Sequence, residues 1–373
     1  MTRKAIIAGS FDPITYGHVD IIERTSRIFD EVYVSIGQNP DKHCLFSVEE
    51  RKNFIASAIK HIPNILVTSY EGMLSEYAYS LNIDCIVRGI RSGSEYDNEH
   101  TLLRFNRKLK NIDTLLLPTS DKYSHISSSL VKSIVKEYGF VNDYVPLKVK
   151  EALEERLLGI RFYGITGGSG VGKSTFSKKL SNEISDNTIH IDLDKFAHEI
   201  YDGVEPYELA CKEKLGLYFG KNIFNEDMTI NRKELASIVF SNKTHLAVLN
   251  EVLKPAMRHK FYNSIYGLKD TIVLVDGATL LESGLISHLN NNCIILECDS
   301  DIAMERIMQR DNISLGYARS IIESQSDSGY KTNLIDKLID ESSHGYSVII
   351  DNTDNSKIDY TSITQKIINK ENI

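Results

Sequence analysis

The chain has 373 residues, 42% of them hydrophobic and 25% charged, and carries a net charge of −8, so it is long enough for two cores and too acidic to read as a nucleic-acid binder. The acidity is uneven: Lys and Arg stand at 20 against 21 Asp and Glu over residues 1–158, and at 23 against 30 over residues 159–373, together the 43 and 51 of the whole chain. No run is long enough to span a bilayer and no signal-like segment begins the sequence, which predicts a cytoplasmic protein without membrane partners, and five scattered cysteines predict buried free thiols rather than disulfides or a zinc site.

In chain order, short apolar runs alternate with helical patterns: a strand at 5–8, helix 19–29, strand 32–36, helix 48–59, strand 65–67, helix 74–81, strand 85–87, a charged helix through Arg107, and a strand at 114–117. Such alternation predicts βαβ units around a parallel sheet. Helices at 127–138 and 147–158 follow, and a new strand at 162–166 begins without a linker, so Gly159 marks the boundary between domains 1–158 and 159–373. The second half also reads α/β, with strands near 188–191, 272–275, 294–297 and 348–350.

Each half carries a loop suited to phosphate, placed between a strand and a helix. The first runs from Gly9-Ser10-Phe11-Asp12-Pro13 to Thr15-Tyr16-Gly17-His18; glycine admits a ligand to the backbone, Ser10 offers a hydroxyl, and His18 at a helix start can donate to a phosphate oxygen. Lys42, Arg88-Gly89-Ile90-Arg91 and Ile126-Ser127-Ser128-Ser129 fall at strand ends or helix starts, and Glu99 lies on the helix after Arg91. In an open α/β sheet those positions converge on one crevice, whereas a purely structural account makes the cations solvated and the serines an N-cap.

This set resembles bacterial phosphopantetheine adenylyltransferase, whose G-[ST]-F-D-P-x-T-x-G-H, R-G-x-R and I-S-S-S patterns occur here in order over nearly all of residues 1–158. The resemblance implies a Rossmann-like nucleotidyltransferase domain that moves the adenylyl group of ATP to 4′-phosphopantetheine. It implies Ser10, Lys42, Arg88, Met73 and Leu74 as acceptor contacts, Ser10, Phe11, His18, Gly89, Arg91, Glu99, Ser127, Ser128 and Ser129 as the ATP site, and His18, Lys42 and Arg91 as catalytic groups. A phosphate dianion is already a nucleophile, so alignment and charge stabilisation suffice. Bacterial relatives form hexamers, so a homo-oligomer is implied as well. Cytidylyltransferases and nicotinamide mononucleotide adenylyltransferases share the T-x-G-H loop and are the rivals.

The second loop, Gly167-Gly168-Ser169-Gly170-Val171-Gly172-Lys173-Ser174, is a complete Walker A sequence. Its glycines allow a close wrap around a β-phosphate, Lys173 reaches the β/γ oxygens, and Ser174 can ligate Mg²⁺. Asp192-Leu193-Asp194 ends one strand and Asp276 another. Asp192 is favoured as base for a substrate hydroxyl, Asp194 has an N-cap as its alternative role, and either Asp192 or Asp276 is the carboxylate partner of Ser174 at the metal.

With Ile230-Asn231-Arg232-Lys233, Leu280-Leu281-Glu282 and Gln309-Arg310-Asp311, this half is similar to dephospho-coenzyme A kinase over about residues 160–355, nearest to the kinase half of the fused coenzyme A synthase of animals. The resemblance implies a P-loop kinase domain that phosphorylates the ribose 3′-hydroxyl of dephospho-coenzyme A, with ATP as co-substrate and Mg²⁺ as cofactor. It assigns ATP to Gly168, Gly170, Gly172, Lys173, Ser174 and Thr175, and catalysis to Lys173, Asp192 and Arg310. After Gln325 the bacterial lid arginine is missing, which leaves Arg310, with Arg306 second, to supply the lid charge. The alternative is a second half that binds nucleotide without transferring phosphate.

Overall fold

The computed structural model describes residues 2–38, 43–91, 93–184, 187–240, 243–323 and 327–369. The chain divides into two compact units, Met1–Leu153 and Glu154–Ile373, a division that falls within the helix Leu147–Leu158.

Five strands make the sheet of the first unit: β1 (Lys4–Gly9), β2 (Glu31–Gln38), β3 (Ile65–Glu71), β4 (Cys85–Ile90) and β5 (Asp113–Pro118). All neighbours are parallel, in the order β3-β2-β1-β4-β5. β1 is the middle strand, and Ala5, Ile6 and Ile7 are buried. A strand covered on both faces reads as an unbroken apolar run, which is why it was legible without alternation. The chain winds outward from β1 to β3 and then crosses to β4. Where the winding reverses, the connections after β1 and β4 part and open a crevice at the strands' carboxyl ends.

The second unit repeats the plan with β6 (Arg161–Gly167), β7 (Thr188–Asp192), β8 (Ile272–Asp276), β9 (Asn292–Glu297) and β10 (Tyr346–Asp351). These are parallel in the order β10-β9-β6-β8-β7. β6 is central, so its loop opens in the middle of the sheet edge. Between β7 and β8 the chain inserts helices Leu193–Asp202, Pro206–Phe219, Arg232–Phe240 and Lys243–Ile265. They share a core of their own around Ile200, Leu215, Ile230 and Leu253.

Element ends differ from expectation where side chains take over the backbone's hydrogen bonds. The first helix starts at Tyr16, because Thr15 and His18 cap its first turn, and ends at Ser26. All five cysteines are free; Cys211 and Cys293 are buried, but Cys44, Cys85 and Cys298 are only partly so. Among the described residues no helix is long and apolar enough to cross a membrane.

Candidate active sites

In the first unit, Thr15 and His18 form a capping box on the helix Tyr16–Ser26. Thr15 N–H donates to His18 Nδ1 at 3.0 Å, and Thr15 Oγ1 lies 3.0 Å from the same nitrogen. A backbone N–H can only donate, so Nδ1 is unprotonated and Nε2 carries the ring proton. Burial, followed by the nearby Arg91 charge, pushes the His18 pKa from 6.5 down to about 4, so the ring is neutral at pH 7. Phe11 meets it edge-on, with centroids 5.2 Å apart. The T-x-G-H spacing is therefore a cap with histidine in the place of the usual Glu or Gln, and it aims one N–H outward. Thr15, which supports this arrangement, was not singled out by sequence, although its S/T-x-x spacing was the available signal.

Ser10, Phe11, His18, Arg88, Gly89, Arg91 and Glu99 all line one cleft of about 340 Å³. Arg88 is held by Glu99 through two hydrogen bonds of 2.9 and 2.7 Å and donates to Ala8 O at 2.7 Å. Arg91 pairs with Glu95 and donates to Ile126 O at 3.0 Å. Both cations are thus pre-positioned by carboxylates, and Glu99 acts on Arg88. Gly89 has a packing reason as well, since a Cβ there would come within 2.9 Å of Ile21.

The three serines divide their work: Ser127 caps the helix Ser128–Lys136 through Leu130 N–H, Ser128 donates to Pro13 O at 2.7 Å, and Ser129 is exposed. Met73 and Leu74 begin the helix Leu74–Ser80 and do not line the cleft; Met73 is exposed, while Leu74 packs on the core around Ile6 and Ile86. Lys42 lies outside the described residues.

Asp12 is the buried hub of this loop. Its carboxylate accepts from Leu45 N–H and Phe46 N–H at 3.0 Å each and from Lys132 Nζ at 2.9 Å. Burial raises its pKa, but these donors outweigh burial and leave it below the usual 3.8. Asp12→Ala is expected to cost about 2–4 kcal/mol, because it removes a buried carboxylate that two amides and an ammonium share as acceptor. A folded pKa below the unfolded one means the stabilisation is complete above about pH 4 and fades as pH drops toward the folded value. Denaturant titrations of both proteins at neutral and acid pH check this; a gap that did not narrow in acid would disprove it.

In the second unit, Gly167, Gly170 and Gly172 have positive φ. A Cβ on Gly170 would lie 2.4 Å from Ala303 O, and on Gly172 2.6 Å from Asn352 Nδ2, so only glycine fits. Lys173 Nζ folds onto its own loop, donating to Gly167 O at 3.1 Å and Gly168 O at 3.0 Å. Burial lowers its pKa against the opposing pull of Asp194 and Asp276.

Ser169, Gly170, Gly172, Lys173, Ser174, Thr175, Asp192, Asp194 and Arg310 line a cleft of about 1140 Å³, to which Gly168 adds only its carbonyl on Lys173. The N-cap falls to Asp192 instead of Asp194, although both line the cleft. Asp192 is the N-cap, its Oδ1 accepting from Lys195 N–H at 2.9 Å. Asp194 stands in the cleft with its pKa raised, by desolvation first and then by Asp192 and Asp276, while Lys173 and the Ala278 N–H oppose the rise. A carboxylate beside the Walker lysine and inclined to take a proton has the chemistry of a base.

Asp276 is buried at the end of β8, paired in register with Asp192. Its Oδ2 lies 3.1 Å from His190 Nε2 but is misaligned for a hydrogen bond. Arg310 lines the cleft and is held bidentately by Asp311 at 2.7 Å. Arg306 lines the cleft as well, and its guanidinium is engaged by backbone carbonyls. It donates to Asn352 O at 3.1 Å, Thr353 O at 3.0 Å and Gly170 O at 3.4 Å, so its guanidinium holds the loop's supports. Gln325 lies outside the described residues. Arg232, within the I-N-R-K stretch, was not singled out for a role; it pairs with Asp202 at the cleft.

Residues 161–346 match the family model for dephospho-CoA kinase, and residues 6–134 match that for cytidylyltransferase-like proteins. Among solved structures, TT1252 from Thermus thermophilus is 20% identical, with a TM-score of 0.42 over 57% of this chain and 96% of that one. The dephospho-CoA kinase from Campylobacter jejuni is 28% identical, with a TM-score of 0.34 over 57% and 96%. A lipopolysaccharide core biosynthesis protein from Thermoplasma volcanium GSS1 is 19% identical, with a TM-score of 0.27 over 32% and 98%. At these scores the family matches carry the assignment.

Proposed function

From a chain in which a cytidylyltransferase-like domain is followed by a dephospho-CoA kinase domain, we propose an enzyme that performs the last two steps of coenzyme A synthesis in succession. In the first, a phosphate oxygen of 4′-phosphopantetheine bonds to the α-phosphorus of ATP and pyrophosphate leaves. In the second, the ribose 3′-hydroxyl of the resulting dephospho-CoA takes the γ-phosphoryl of another ATP, and ADP leaves. A second unit that only holds nucleotide is not favoured, since it matches the kinase family and keeps Lys173 beside Asp194.

The acceptor in the first step is supported by the cleft that gathers His18, Arg88 and Arg91 around the end of β1. The His18 Nε2–H and the two guanidiniums can spread donors over the charge that builds on the α-phosphate, and no base is needed. In the second step Asp194 accepts the hydroxyl proton while Lys173 and Arg310 meet the transferring phosphoryl. The kinase cleft has an apolar wall, including Leu235, Val239 and Leu246, and a polar end at the loop. That division suits a substrate with an uncharged arm and a phosphorylated nucleotide.

The Asp276 Oδ2, buried and without a hydrogen bond among the described residues, and the Ser174 and Asp192 oxygens at the cleft are hard ligands that fit Mg²⁺. When bound, Mg²⁺ supplies charge neutralisation on the β- and γ-phosphates.

The test is to incubate the whole protein and magnesium with 4′-phosphopantetheine and either ATP or CTP, then separate the products. Dephospho-CoA followed by CoA, from ATP alone, is expected. Nucleotide transfer from CTP in preference, or none from ATP, would overturn the first step; dephospho-CoA accumulating without CoA would overturn the second.

A further inference from the structure

Arg51 is a guanidinium shut away from water, 4% exposed on the helix Val48–Ala58. Among the described residues no carboxylate pairs with it, and its acceptors are carbonyls: Ser47 O, 3.3 Å from Nε, and Ser10 O, 2.7 Å from Nη1. A buried cation satisfied by carbonyls alone is costly to keep, so the short bond to Ser10 calls for a reason. Ser10 and Phe11 line the cleft of the first unit. The peptide between them is trans, so its C=O and N–H point to opposite sides, and a guanidinium that fixes the one fixes the other. Phe11 N–H makes no hydrogen bond among the described residues. Phe11 also has a φ of 45°, a left-handed value that a bulky residue keeps only where its surroundings over-determine it. They do so on both sides. Arg51 holds the carbonyl before Phe11, while the Leu45 and Phe46 amides and Lys132 hold the Asp12 carboxylate after it. Ala8 O and Pro13 O are likewise taken, by Arg88 and Ser128, at 2.7 Å each. A loop that offers amides to an anion has to turn its carbonyls elsewhere.

We propose that Arg51 is a positioning residue for adenylyl transfer, turning the Ser10 carbonyl away from the cleft so that Phe11 N–H points at the phosphates of the nucleotide. Arg51 itself does not line the cleft and touches neither reactant. Its charge matters as much as its reach, because a cation on the carbonyl polarises the amide and strengthens the N–H across it. The nucleotide as ligand rests on the first step proposed above; the setting of the peptide does not.

The test watches that one peptide. Ser10-Phe11 is the single Ser-Phe dipeptide in the sequence, so whole protein labelled with carbonyl-¹³C serine and ¹⁵N phenylalanine yields one selected amide signal. Adding ATP with magnesium is expected to move its proton downfield in the parent. In Arg51→Met that displacement should be largely lost and kcat/KM for ATP in adenylyl transfer should fall about thirtyfold, while added dephospho-CoA is converted at the parent rate. Arg51→Lys keeps a cation within reach of the carbonyl and should recover most of both. Arg51→Gln, with a neutral donor, should lie between, and it carries the test if the Met variant does not fold. An arginine that served stability alone would lower the melting temperature of the Met and Gln variants and leave displacement and kcat/KM at parent values; that result overturns the proposal. So does a parent signal that no nucleoside triphosphate moves. A signal moved by ATP in the parent and unmoved in Arg51→Met, in a protein that transfers no adenylyl group to 4′-phosphopantetheine, upholds the proposal and overturns the first-step reading instead.

Discussion

Lys173→Ala is expected to stop phosphorylation of dephospho-CoA, lowering kcat by about 10³-fold or more, while adenylyl transfer by the first unit continues at its normal rate. Lys173 is the one cation built into the glycine loop, and it rests on two carbonyls of that loop with Asp194 and Asp276 drawing its charge inward. A triphosphate would replace those carbonyls as its partner, and no other side chain of the loop can follow the charge onto the γ-phosphoryl. Chromatography of a mixture of ATP, magnesium and 4′-phosphopantetheine should show dephospho-CoA accumulating and no CoA. Conversion of dephospho-CoA at a rate within tenfold of the unaltered protein would refute the assignment.

The complementary result is expected from His18→Ala: adenylyl transfer falls by about 10²–10³-fold, yet added dephospho-CoA is still turned into CoA. The substitution removes two things together, the N–H aimed into the cleft and the cap on the helix Tyr16–Ser26. His18→Gln separates them. Glutamine is an ordinary third residue of a capping box and keeps a donor, so it should fold like the parent and recover part of the rate. Because the His18 pKa is pushed down to about 4, the ring holds no second proton anywhere near neutrality. The rate of the first step should therefore show no histidine limb near 6.5; a limb there that disappeared in His18→Gln would mean the ring works as a cation.

The fold was largely legible because both sheets are parallel and their inner strands are buried on both faces, which writes β1, β6 and β8 as mainly apolar runs. The sites were legible in membership more than in arrangement. The cleft gathers Ser10, His18, Arg88 and Arg91 as their positions after strand ends implied. What could not be read was which partner each polar group would choose. Asp192 and Asp194 are two residues apart and chemically identical, and nothing in the sequence tells that both line the cleft while the first also caps the helix. Arg306 looked like an exposed helix arginine with a charge to lend, yet the carbonyls that claim it come from residues 170, 352 and 353, far apart in sequence.

The grip of Asn352 and Arg306 on the glycine loop bears on the order in which the molecule is made. Asn352 Nδ2 donates to Val171 O at 2.6 Å, across 181 residues of chain. The ribosome therefore releases the Walker sequence long before the residue that latches it, whereas the first unit has every strand of its sheet by Pro118. Domains fold as units, the N-terminal one first. On a growing chain the nucleotidyltransferase cleft can assemble while the kinase loop is still slack, and any product shortened ahead of Asn352 would be left with a complete first site and an unlatched second.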